Sequence, residues 1–132
     1  MNLDKLLKKL EQNKNTENEQ KTYPLTIGGE TYEVKTMTRA KKREFLYANE
    51  VGQGKLKVGE IVKRSIPFIY HSLGLSTLAE RAKQNKLIVS YYDVVELLFE
   101  PDEILQIISF IMDINNLSDV KVEEEVEEVK KP

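Results

Sequence analysis

Cysteine is absent from the 132 residues. Disulfides and thiolate metal sites are therefore excluded, and the chain suits a reducing cytoplasm. Histidine occurs once, as His71. A His-based triad or a zinc site would depend wholly on that one ring, helped only by carboxylates. His71 follows Tyr70 on an apolar-striped segment, so a surface or boundary histidine is the better reading. A long apolar run is also missing. The most apolar stretch, 104–114, is interrupted by Gln106, Ser109 and Asp113, whereas a membrane span needs about 20 apolar residues. Lys5, Lys8 and Lys9 stand near the N-terminus, but the leucines between them never form the unbroken run of a secretory signal. Neither charge dominates: 22 acidic residues face 20 basic ones, a net charge of −2. That balance gives no global pull toward nucleic acid or anionic membrane.

Glycine-rich motifs fail on inspection. Gly52-Gln53-Gly54-Lys55 resembles a phosphate loop, but that pattern needs glycine where Asn49 stands and Ser or Thr where Leu56 stands. The dinucleotide pattern needs glycine at Lys57. Gly74-Leu75-Ser76 begins like a nucleophile elbow, but Leu78 occupies its closing glycine position. No carboxylate pair stands out. No catalytic, cofactor-binding or metal-ligating residue is assigned, and the chain is not expected to be an enzyme.

What is present organises as one domain with appendages. A chain of this length buries roughly 65–70% of its unfolded surface, enough for one modest core. Residues 2–12 read as a short amphipathic helix, with Leu3, Leu6, Leu7 and Leu10 on one stripe. So short a helix is marginal in water and needs something to dock on. Residues 13–22 are wholly polar and read as a flexible linker. Residues 23–36 form the clearest β signal: Leu25 and Ile27, then Tyr32 and Val34, alternate with polar residues around Gly28-Gly29.

Helices are expected over 38–115. Thr38 caps the first, with Phe45, Leu46 and Ala48 turned inward. A glycine-bearing loop, 51–58, follows. Val62, Ile66, Ile69 and Leu73 mark the next helix, widened by Ile61 and Tyr70, with a kink or break near Ser65 and Ile66 caused by Pro67. Gly74 stops it. Ser76 caps a short helix to Asn85, and 87–89 could be extended. Ser90 and Asp93 resemble a capping pair for a helix to Phe99, striped by Tyr91, Val94, Val95 and Leu98. Pro101 opens the last helix, whose apolar residues cover nearly its whole circumference. That marks a core helix buried on several sides. Asn115-Asn116 ends it.

The expected fold class is α+β, predominantly α: a small N-terminal hairpin packed on a compact bundle of about four to five helices, with a flexible acidic tail. The boundaries are 1–22 for helix and linker, 23–117 for the globular domain and 118–132 for the tail. The tail carries Glu123-Glu124-Glu125, Glu127-Glu128 and Lys130-Lys131, with valines too sparse for a core.

Two patches stand out as candidate protein-binding sites. One is the leucine stripe, Leu3, Leu6, Leu7 and Leu10, a domain cap or a docking segment for a partner or another copy. The other is a basic cluster of Lys35, Arg39, Lys41, Lys42 and Arg43, with Arg39, Lys42 and Arg43 on one helix face. It reads as a solvated face, as the receptor of an acidic protein segment such as a neighbouring copy's tail, or as a phosphate grip. Glu44 and Glu50 follow closely, and nucleic-acid readers usually add base-contacting residues, so nucleic acid is disfavoured.

The order of parts, a short helix and polar linker, then the hairpin Leu25-Thr26-Ile27-Gly28-Gly29-Glu30-Thr31-Tyr32-Glu33-Val34, then a helical body and charged tail, resembles the tail assembly chaperones of long-tailed bacteriophages. It resembles in particular the XkdN-like group of Gram-positive hosts and prophages. The likeness is architectural and covers most of the chain. It implies a non-enzymatic protein of the host cytoplasm that binds the tape measure protein and the tail tube protein during assembly and is absent from the finished tail. Many such proteins have a second, frameshifted form, and Lys130-Lys131 is compatible with an A-rich slippery codon pair. The leucine stripe or the hairpin edge would supply part of the contact, and a homo-oligomer is compatible with the plan. The competing reading is a small nucleic-acid-binding or regulatory protein of a phage or mobile element, using the basic cluster at 35–43.

Overall fold

A computed structural model of the chain describes residues 1–49 and 58–117. Residues 51–57 of the loop expected at 51–58, and the acidic tail expected at 118–132, lie outside the described residues. The elements run α1 (Leu3–Thr16), β1 (Thr22–Ile27), β2 (Glu30–Lys35), α2 (Arg39–Ala48), α3 (Val58–Ser72), α4 (Ser76–Gln84), α5 (Asp93–Leu98) and α6 (Pro101–Ile114). The fold is α+β and mainly α, as the periodicities indicate.

The hairpin forms around a two-residue turn. Gly28 and Gly29 both take positive φ, +60° and +84°, which is the backbone a type I′ turn needs and which costs glycine nothing. The register sets Leu25 opposite Tyr32 and Tyr23 opposite Val34. One face of the ribbon buries Ile27 and Val34 against the helices, and the Tyr32 ring meets Phe99 edge-on at 5.4 Å.

Helix α6 packs on α3, which also receives α2 and α5, while β1 lies against α6. The isoleucines of α6 explain this order. Ile104, Ile107, Ile108 and Ile111 recur at helical spacing and are all buried. Met112 is buried too, but Leu105 is exposed and Phe110 and Ile114 are only half-buried. The expectation of burial on several sides is corrected accordingly: α6 buries one wide face and turns Gln106, Ser109 and Asp113 to water.

Four other expectations are corrected. Helix α3 is continuous through Pro67, so the break expected near Ser65 and Ile66 does not occur. Proline inside a helix costs about 3 kcal/mol, but Ile66, Ile69, Tyr70 and Leu73 around it are buried. At about 1.5–3 kcal/mol for each large apolar side chain, that packing outweighs the loss. Helix α1 extends to Thr16 and so absorbs the first four residues of the linker expected at 13–22. Ser76 is the first residue of α4 and not its cap; Leu75 holds the cap position with no side-chain bond. Residues 87–89 form no strand: the backbone bends at Leu87 and Val89, and the one sheet among the described residues pairs β1 with β2.

The helix ends are closed by local chemistry. Asn2 Oδ1 accepts the Lys5 N–H at 3.1 Å and Thr38 Oγ1 accepts the Lys41 N–H at 3.3 Å. The Asp93 carboxylate takes the N–H groups of Val89 and Ser90 at 3.2 and 2.9 Å, and Glu103 reaches back to the Glu100 N–H at 2.9 Å. Three helices end alike. Leu75, Leu87 and Leu117 donate backbone bonds five residues back, to Tyr70, Ala82 and Met112, while Gly74, Lys86 and Asn116 before them take positive φ. These are Schellman caps; those of α3 and α6 tuck Leu75 and Leu117 beneath the helix, while Leu87 at the α4 cap stays exposed.

The connection between hairpin and α2 is pinned from across the chain. Asn115, only 2% exposed, accepts the Met37 N–H at 2.7 Å and donates to the Ile111 carbonyl at 2.7 Å. Replacing Asn115 with Ala strands a buried N–H and should lower the unfolding free energy by about 1–3 kcal/mol, read from urea unfolding with an unchanged slope. Lys86→Gly removes the left-handed penalty of a side chain at the α4 cap and should raise it by about 0.5–1 kcal/mol in the same assay.

Candidate functional site

The two patches singled out in the sequence lie on neighbouring elements. On α1 the four leucines share one stripe and none is covered: Leu3, Leu6, Leu7 and Leu10 are 68%, 41%, 55% and 66% exposed. Helix α1 buries no residue at all. The reading of this helix as a cap on the domain is therefore set aside; its apolar face is unpartnered among the described residues.

The root of α1 is nevertheless held. The Glu17 carbonyl accepts the Arg39 N–H at 3.0 Å, which satisfies one free donor in the first turn of α2. Lys21 and Thr36 exchange two bonds: Thr36 N–H to the Lys21 carbonyl at 2.8 Å and Lys21 N–H to Thr36 Oγ1 at 2.8 Å. Gln20 Nε2 donates to the Thr36 carbonyl at 3.0 Å. The segment read as a flexible linker is thus a hydrogen-bonded bracket, because Thr36 offers both backbone and hydroxyl at the end of β2. A leucine-faced rod about 20 Å long projects from it.

Arg39, Lys42 and Arg43 fall on one side of α2, with Lys35 just before it. Lys41 points elsewhere and pairs with Glu44 at 3.0 Å. Among the described residues no acid pairs with Lys35, Lys42 or Arg43. The first turn of α2 holds no acidic side chain, so its cations sit at the positive end of the helix dipole, where anions are favoured by about 0.3–1 kcal/mol each. Glu17 brings one negative charge near Arg39. The hydrogen bond from Lys14, 2.9 Å long, and the charge of that lysine hold Glu17 below the usual carboxylate range.

A cavity of about 400 Å³ opens on the other side of α2, between Thr38, Lys41, Phe68, His71 and Tyr92. His71 is exposed, and its contacts are edge-on rings: Tyr70 at 5.2 Å and Tyr92 at 6.1 Å. Among the described residues no carboxylate hydrogen-bonds its imidazole, so nothing orients it for proton transfer. No cluster of three or more metal-ligating side chains occurs among the described residues. No described helix is long and apolar enough to cross a membrane.

The sequence reading missed one surface. Leu87, Val89 and Leu97 are exposed together around a shallow hollow between α4 and α5, beside Asp93 and Glu96. Its residues come from a bend and a six-residue helix, where no periodicity could separate inward from outward. Comparison with family models, with curated proteins and with solved structures finds no match.

Tyr70 gives this region a pH signature. Burial, followed by the neighbouring Tyr91, Tyr92 and Glu80, raises its hydroxyl above the ordinary tyrosine value. Burial, with Glu30 and Glu103, does the same for Tyr32. Both are favoured protonated in the folded chain. Their contribution is therefore complete below about pH 10, the unfolded tyrosine value, and is lost as pH rises through the higher folded values. Unfolding free energy should fall on alkaline titration above that point, and Tyr70→Phe together with Tyr32→Phe should flatten the fall.

Proposed function

We propose that the protein is a non-catalytic assembly chaperone of the kind that serves tail morphogenesis in long-tailed bacteriophages, acting in the cytoplasm of the bacterial host. One observation carries the reading: a four-leucine helix face is held away from the body by a bonded root and has no partner among the described residues. A face like that is costly in water unless something covers it. A tape measure protein is long and helical, with apolar stripes prone to aggregate until the tail tube encloses them. Helix α1 can lie along such a stripe as an amphipathic helix lies in a groove. Lys5, Lys8 and Lys9 beside the leucines keep the uncovered face soluble.

The test is co-purification with the tape measure and tail tube proteins of the same genome. Leu6→Asp with Leu7→Asp should weaken capture at least about tenfold, since each leucine contributes roughly 1.5–3 kcal/mol when buried. The same variant should unfold within about 0.5 kcal/mol of the parent, because α1 buries nothing among the described residues. Equal capture by parent and variant, or no capture by either, contradicts the reading. Salt-sensitive gel-shift binding of DNA or RNA that disappears on neutralising Lys42 and Arg43 would favour the nucleic-acid alternative instead.

A further inference from the structure

The cavity between α2 and α3 holds a polar group that its own walls do not satisfy. Ser72 lines it and is only 5% exposed. The Ser72 hydroxyl makes no hydrogen bond among the described residues, yet no sealed side-chain oxygen there lacks a partner. The hydroxyl is therefore open to the one space its residue lines, the cavity. A buried hydroxyl left with a free donor points at whatever fills the space in front of it. The walls around it are apolar and fixed. Met37 is buried, with its N–H held by Asn115 at 2.7 Å. Phe68 meets Phe45 edge-on at 5.1 Å, and Tyr92 meets Tyr70 edge-on at 5.1 Å. Lys35, Lys41 and Glu44 also line the cavity. Lys41 is taken by Glu44 at 3.0 Å, which leaves Lys35 as the lining lysine with no ion pair among the described residues.

We propose that this cavity binds a small aromatic carboxylate. Its volume of about 400 Å³ lies in the range of small-molecule sites and accommodates a single substituted ring. The ring lies against Met37, Pro67, Phe68 and Tyr92, where apolar burial and ring contacts favour it. Lys35 supplies the opposite charge and Ser72 a hydroxyl donor, and hydrogen bonds to an ionised acceptor are the stronger kind. A single unpaired lysine matches one carboxylate and is too little for a polyphosphate. The walls are already held in place by Asn115, Phe45 and Tyr70, so little ordering opposes binding. The inference is independent of the assembly role, which rests on α1.

Benzoate is the probe, titrated into the full chain and followed by amide chemical shifts. The amides of Met37, Thr38, Phe68, Ser72 and Tyr92 should move saturably, while those of α1 and of Leu87 and Leu97 stay still. Benzamide keeps the ring without the charge, and inorganic phosphate keeps charge without the ring. Each should bind at least about tenfold more weakly than benzoate. Ser72→Ala and Lys35→Gln should each weaken benzoate about three- to tenfold, with the amide spectrum of the unliganded body unchanged. Lys35 is exposed, so Lys35→Gln carries the test even where Ser72→Ala disturbs folding. The absence of a saturable shift at millimolar benzoate overturns the proposal. So do shifts centred outside the cavity, equal binding of benzamide or phosphate, or parent-like affinity in the folded variants.

Discussion

The side-chain amide of Asn115 is the joint on which the arrangement turns. It sits at the end of the isoleucine helix and accepts the N–H of Met37, a residue 78 positions away. Burying an amide is costly unless it is bonded, and Asn115 is bonded on both sides, to Met37 and to Ile111. That fixes the strand-to-helix corner at 36–38 against the core. Thr36 at this corner holds Lys21 and Gln20, and Arg39 holds Glu17. The root of α1 is consequently tied, through a few hydrogen bonds, to the same point as the end of α6. Core packing decides that the body is compact; this corner decides where the leucine helix leaves it and where the basic side of α2 stands.

Much of the architecture was legible in the sequence because two signals were strong. Gly28-Gly29 between alternating strands admits little besides a tight hairpin, and the spacing of Ile104, Ile107, Ile108 and Ile111 gives a helix with an inward face. The errors arose where local and tertiary forces compete. Pro67 argued for a break, and buried neighbours on the same helix overrode it. The polar composition of 13–22 argued for a flexible linker, yet no composition announces that Thr36 will bracket Lys21 from 15 residues away. Ser76 looked like a cap, but the Schellman turn at Gly74 and Leu75 placed the helix start one residue earlier.

The candidate site was legible in part. The leucine stripe was visible as a pattern, but its exposure was not, because periodicity says which residues share a face and is silent on what covers it. The basic face was visible too. Its neighbours were not: only the fold brings Lys35, Arg39 and the end of α6 to one corner. The exposed apolar hollow at Leu87, Val89 and Leu97 left no trace in the pattern.

Helix α1 carries the leucine face on which the proposed role rests, and none of the described residues covers it. A helix of 14 residues with nothing buried is near the limit of independent stability. Amide hydrogen exchange, followed along the chain with and without the tape measure protein, reads that condition directly. In the free protein, the amides of α1 should exchange orders of magnitude faster than those of α6 and become protected when the partner is added. Protection of α1 equal to that of α6 in the free chain, or no gain in protection with the partner, would contradict the account.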